Sequence, residues 1–164
     1  MEFSDIIRYI CGVLNKNSVE YMIVGGTAVA LHGHFRKSTN MAGKIVDKPD
    51  LDCWYNPNYE NYFKLLNALE ELGVDVKRYR DEQAPDPKRS VFKLEFDEYN
   101  LDMIPNIKAK LRFRLSFAKR QVVVSEGVEI CFLDFEDLIQ DKKSLGRPKD
   151  LSDIEELEKI KESE

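Results

Sequence analysis

The sequence holds no long apolar run, no paired cysteines, no repeat and no surplus of positive charge, and each absence excludes a class of protein. No run approaches the roughly 18–20 apolar residues that a membrane-spanning helix needs. The three cysteines, Cys11, Cys53 and Cys131, are scattered and form no CxxC pair. That pattern argues against a disulfide framework or a zinc ribbon and for reduced thiols. The first residues, MEFSDIIRYI, carry early acids and no basic stretch, so no signal peptide is expected. The net charge is −5 and the pI about 5.2, which disfavours a protein that wraps long nucleic acid but leaves room for a local basic patch. There is no internal repeat and no low-complexity segment. What is present is 164 residues, 43% of them hydrophobic, enough for one core and short of two. The expectation is a cytoplasmic single domain over residues 1–164: an N-terminal helix at 4–16, a core over about 20–133 and a helical tail at 134–164.

Within that frame the periodicities set out the elements. Ile6, Ile10, Val13 and Leu14 form a helical stripe over 4–16, with Ser4 as N-cap. YMIVGG, 21–26, reads as a buried strand stopped by two glycines, and TAVALHG as a two-turn helix closed by Gly33. Residues 34–49 have no clear period and gather His34, Arg36, Lys37, Lys44 and Lys48, so they read as a loop. LDCWY is the second strand, and 59–73 is a helix with Tyr62, Phe63, Leu65, Leu66, Leu69 and Leu72 on one face and Gly73 as its stop. The first part of 74–89 reads as a strand. SVFKLEF and LDMIP are short strands, and RQVVVSEGVEICF is a hairpin around Glu126-Gly127. Two helices close the chain, at 134–145 and 150–162, each with an acid at its start.

Three features carry chemistry. A strand that ends in Gly25-Gly26 and feeds a helix brings bare backbone N–H groups to a helix N-terminus, a geometry that accepts phosphate oxygens; the competing reading is glycine used for packing. Asp50 and Asp52 lie one residue apart on a strand, so both point to one face about 6–7 Å apart. Two carboxylates that close favour a cation between them, such as Mg²⁺, or full solvation. Asp102 sits among Leu101, Met103 and Ile104, where a plain surface role is less comfortable; it reads as a third ligand and general base, or as a strand-edge acid near a turn. Glu95 and Asp97 compete for that third position.

IVGGTAVALHG, then Arg36 and Thr39, then PDLD, resembles the nucleotidyltransferase superfamily that shares the DNA polymerase beta palm, and most closely its small bacterial branch with AbiEii-type toxins and minimal aminoglycoside-type enzymes. DLIQDKKSLGRPKDLSDIEEL resembles the tail of that branch. The resemblance covers about Tyr21 to Leu157. It implies an α/β (α+β) fold with a short mixed sheet, helices packed on one face and a helical tail. It implies transfer of a nucleoside monophosphate from an NTP to a hydroxyl acceptor, with Mg²⁺ or Mn²⁺ on Asp50, Asp52 and Asp102. Gly25, Gly26, Thr27, Arg36 and Lys142 would bind the nucleotide. Lys143, Arg147 and Lys149 are further candidates for the triphosphate or an acceptor, against the plainer reading of a solvated face. The implied partners are an NTP, an acceptor among which tRNA or another RNA end is one option, and a cognate antitoxin, with no membrane. The alternative is a catalytically inactive binder of the same fold. His32 and His34 could touch phosphate or belong to a surface loop, and Trp54 and Tyr55 could stack on a base or pack the core. The stretch between Gly26 and Asp50, residues 27–49, is longer than the superfamily pattern, so the basic loop reads as either an added substrate-binding element or a segment that folds over the site and regulates it.

Overall fold

The computed structural model describes residues 2–37 and 48–163. Among the described residues six strands form one mixed sheet in the order β3-β4-β2-β1-β6-β5. The strands are β1 (Tyr21–Val24), β2 (Asp50–Tyr55), β3 (Phe92–Glu95), β4 (Asn100–Ile104), β5 (Gln121–Ser125) and β6 (Val128–Phe132). β1 runs antiparallel to β2 and parallel to β6, and β2 runs parallel to β4. The edge pairs β3–β4 and β5–β6 are antiparallel hairpins. Glu126 and Gly127 both have positive φ, 46° and 81°, as a two-residue type I′ turn requires.

Among the described residues seven α-helices accompany the sheet: α1 (Phe3–Lys16), α2 (Gly25–Lys37), α3 (Tyr59–Glu71), α4 (Lys77–Arg80), α5 (Phe113–Ala118), α6 (Phe135–Leu145) and α7 (Pro148–Glu162). The apolar stripe of α1 is buried as its spacing predicts and packs on β6 and α3. One sheet face, through Tyr21, Cys53 and Tyr55, meets α1 and α3. There the Tyr21 hydroxyl donates to Asn15, and Tyr55 and Tyr62 both lean on Phe92. On the other face Trp54 is sealed by Phe113 of α5 and donates from Nε1 to the Pro105 carbonyl at 3.1 Å. No described helix is long and apolar enough to cross a membrane.

Several boundaries differ from the sequence reading, each for a local reason. Helix α1 starts on the Glu2 carbonyl, which accepts from Asp5 and Ile6, so Ser4 lies inside the helix and is not its cap. Helix α2 does not stop at Gly33. Gly33 has no positive φ; a Cβ there would sit 3.3 Å from Ile160, so this glycine serves close packing on α7. The backbone therefore stays helical to Lys37, where a loop was expected; residues 38–47, with Lys44, lie outside the described residues. Segment 74–80 forms no strand. Helix α3 ends in a Schellman closure, with Gly73 at φ 98° and Val74 N–H donating to Leu69. Val76 then starts the single turn of α4. Phe63 is exposed at the rim of the α3 stripe. Helix α7 begins two residues before Asp150, because Pro148 at its first position needs no N–H partner. Helix α5 has no counterpart in the sequence reading.

Candidate active site

Strand register places the candidate acids. Residues paired across neighbouring strands share a face. Val24 pairs with Asp52, Asp52 with Asp102, and Asp102 with Lys93. Four adjacent strands thus set Val24, Asp52, Asp102 and Lys93 in one row. The next row holds Asp50, Asn100 and Glu95, and Asn100 Nδ2 donates to Asp50 Oδ1 at 2.8 Å. Among the competing third acids, Asp102 is therefore the neighbour of Asp52. Glu95 lies a row away beyond Asn100, and Asp97 follows the end of β3. A cavity of about 590 Å³ opens over the first row and is lined by Gly25, Gly26, Asp52, Asp102, Lys93 and Lys142 among others. Asp50 is not in its wall; it stands exposed at the strand start, tied to Asn100.

The Gly-Gly turn touches the same carboxylate. Gly25 has φ 69°, and a Cβ on it would lie 2.9 Å from Asp52 Oδ2, so only glycine lets the chain turn from β1 into α2 against that acid. A Cβ on Gly26 would meet nothing within 4 Å. Its backbone faces the cavity at the N-terminal end of α2, whose first turn carries no acid. Thr27 is buried, and its hydroxyl donates to the Asp50 carbonyl at 3.2 Å. It fastens α2 to β2. The Asp52 carboxyl is raised above its ordinary range, first by burial and then by the charges of Asp102 and Asp50; Lys142 and Lys93 pull it the other way.

The far wall comes from α6 and α7. Lys142 is 3% exposed, and its ammonium sits 3.3 Å from Asp150 and 2.9 Å from Asp153. Asp150 is wholly buried and also accepts from the backbone N–H, Nε and Nη2 of Arg147, whose guanidinium holds its carboxyl down to about 2. Arg147 and Lys149 line the cavity with Lys142; Lys143 is exposed outside it. Asp141 is buried in the same wall, accepts the backbone N–H groups of Lys108 and Ala109 at 3.1 Å each, and has a carboxyl raised by that burial.

Other candidates fall elsewhere. His32 is buried between Phe132 and Phe135, with Nε2 2.9 Å from the Leu133 carbonyl, so it is neither in the cavity nor on a surface loop. Trp54 and Tyr55 pack the core. The side chains of His34 and Arg36 lie outside the described residues. Sequence reasoning missed Lys93, Asp141 and Asp153. The alternation of SVFKLEF put Lys93 opposite the apolar face, which is the one signal that could have found it; Asp141 and Asp153 had none.

A divalent cation fits this donor set. Asp52 and Asp102 are adjacent, partly desolvated carboxylates whose mutual charge raises Asp52, and the Cβ-free Gly25 leaves space at Asp52 Oδ2. Among the described residues no three His, Cys, Asp or Glu side chains gather as a complete cage. That suits Mg²⁺, which binds one or two carboxylates and completes its shell with water and substrate phosphates.

Comparisons with known proteins place the chain in a family and a fold. The family model described as "Nucleotidyltransferase of unknown function (DUF6036)" matches residues 2–163. No curated protein matches the sequence significantly. Among solved structures, the lincosamide antibiotic adenylyltransferase LnuA, lincomycin-bound, aligns with TM-score 0.59 at 16% identity over 93% of this chain and 94% of that one. The antibiotic-resistance factor ANT(2'')-Ia aligns with TM-score 0.54 at 17% identity over 99% and 92%. An antigenic nucleotidyltransferase-like protein from Paracoccidioides brasiliensis aligns with TM-score 0.54 at 14% identity over 97% and 75%. These likenesses establish a shared fold.

Proposed function

We propose that this chain, which belongs to the nucleotidyltransferase family DUF6036, transfers a nucleoside monophosphate from an NTP to a hydroxyl acceptor, with Mg²⁺ or Mn²⁺ held by Asp52 and Asp102. The observation that carries this reading is the row of Asp52, Asp102 and Lys93 beside the Gly25-Gly26 turn, under one cavity. When bound, the cation supplies charge neutralisation for the triphosphate and its leaving group. The backbone at Gly26 lies open for phosphate oxygens. Lys142 and Lys93 line the same cavity, and their charges act on Asp52; in this reading they offset charge on the departing pyrophosphate. Asp50, turned to Asn100 at the rim, supports the pair from the adjoining row. The acceptor oxygen forms a bond to the α-phosphorus while the bond from that phosphorus to the β-bridging oxygen breaks. The acceptor proton passes to a carboxylate oxygen of Asp102, and pyrophosphate leaves. An AbiEii-type toxin role with a cognate antitoxin would change the biology and leave this chemistry as it is.

The test is calorimetric and chemical. An NTP with Mg²⁺ is expected to raise the melting temperature by mass action, and labelled nucleoside monophosphate is expected to appear on a component of a cell extract. Asp52→Asn should remove both signals. Unchanged shift and labelling in Asp52→Asn would reject the reading.

A further inference from the structure

Between Asp102 and Glu126 the chain contains no acidic residue, although the whole carries 30 acids. Within that stretch, residues 105–114, PNIKAKLRFR, alternate strictly. Lys108, Lys110, Arg112 and Arg114 are exposed, whereas Pro105, Ala109 and Phe113 are buried and Ile107 and Leu111 half-buried. The inward set is tied down at three points. The Pro105 carbonyl accepts from Trp54, Phe113 meets the Trp54 ring edge-on at 5.3 Å, and Asp141 accepts the N–H groups of Lys108 and Ala109. The outward set is therefore displayed by a fixed backbone. Elsewhere among the described residues many basic side chains have acidic partners, as in Lys16–Glu71, Lys64–Glu60, Lys77–Asp81 and Lys161–Glu136. Among the described residues none of Lys108, Lys110, Arg112 and Arg114 is in an ion pair. The strip starts at the catalytic cavity, where Lys108 forms part of the wall.

We propose that this strip is a track for the phosphate backbone of a single-stranded nucleic-acid end, whose terminal hydroxyl enters the cavity as the acceptor. The inference rests on the nucleotidyl-transfer reading for the role of the hydroxyl, and on the strip alone for binding. Exposed, unpaired cations that follow one another along a rigid segment suit regularly spaced phosphates, which need charge and little else. A folded protein partner would need a broad apolar centre, whereas the exposed large apolar side chains that chain order or register sets beside the strip are Leu115, after Arg114, and Val91, before the Phe92–Met103 pair. The overall negative charge limits the contact to a short end and disfavours a long duplex.

Fluorescence anisotropy of a short labelled oligonucleotide, RNA in one arm and DNA in another, tests this on the full chain without NTP. Binding should weaken steeply with salt. Lys110→Ala, Arg112→Ala and Arg114→Ala should each lower the log–log salt slope by about 0.7, the value for one phosphate contact on a single strand. The triple charge reversal K110E/R112E/R114E should abolish binding while keeping the melting temperature and the NTP–Mg²⁺ shift of the parent. Binding in either arm that is lost in the triple variant supports the track, and the stronger arm identifies the acceptor as RNA or DNA. Equal binding by parent and triple variant, no binding by the parent at low salt, or equal affinity for a poly-glutamate peptide would overturn it. Because this assay needs no catalysis, failure of nucleotidyl transfer would reject the function proposed above and leave the binding result intact.

Discussion

Gly25 and Gly26 are chemically identical and structurally opposite. Gly25 combines a positive φ with a Cβ position 2.9 Å from Asp52 Oδ2, whereas Gly26 faces open space. Gly25→Ala should therefore lose about 1–2 kcal/mol in denaturant unfolding from the left-handed backbone alone, and should also displace the Asp52 carboxylate. Gly26→Ala should leave unfolding nearly unchanged and yet weaken the NTP–Mg²⁺ thermal shift, because the new methyl stands where phosphate approaches. Unimpaired nucleotide binding in Gly26→Ala would show that the ligand does not use this backbone. Asp52 itself is a stability liability at neutral pH. Its folded carboxyl binds a proton more tightly than the unfolded one, whose value is near ~3.9. The penalty is thus absent below the unfolded value and fully present once the pH has risen above the folded one. Without divalent cation, Asp52→Asn should raise the melting temperature at pH 7, by about 2–4 °C for each kcal/mol relieved. That gain should fade as the pH is lowered through the raised carboxyl range.

Among the elements, the junction of α6 and α7 is held by a buried cation between acids. Lys142 and Asp150 are both removed from solvent, and Asp150 also closes the first turn of α7 on Arg147. Deleting one partner of a buried pair leaves an uncompensated charge, so Asp150→Ala should lose about 3 kcal/mol in denaturant unfolding. With its carboxyl held at about 2, the stabilisation from Asp150 is present above the unfolded value and is lost only as the pH falls toward 2. A wild-type chain that loses this contribution at pH 5 would contradict the assigned contacts. Helix α2 shows how an element boundary depends on packing. Gly33 looks like a stop in sequence, and α7 makes it a contact point, since Ile160 fills the place of its missing side chain.

For the whole molecule, the sheet order decides what meets what. The three cysteines, far apart in sequence, are all buried in the described core, and burial pushes the Cys11 thiol up to about 12. A thiol reagent should label none of them in the native state and all three in denaturant; fast native labelling would indicate a looser core. Much of this architecture was legible in the sequence. Apolar stripes marked α1 and α3, the Glu126-Gly127 turn marked the β5–β6 hairpin, starting acids marked the two terminal helices, and Asp-x-Asp on a strand after Gly-Gly marked the candidate site. Weak or mixed signals failed: α4 and α5 are each too short for a full apolar stripe, and the start of α7 depended on Pro148.

The chain's local chemistry settled which segments become strands and helices, because alternation, helical stripes and turn residues act over a few neighbours. It also placed the acids of β2 on one face. Only the tertiary structure decided that Asp102 and Lys93 share the row of Asp52 while Asp50 turns to Asn100, since strand register is fixed by pairing between distant segments. The same holds for Lys142, whose place beside the cavity depends on two acids of α7 that hold its charge out of water.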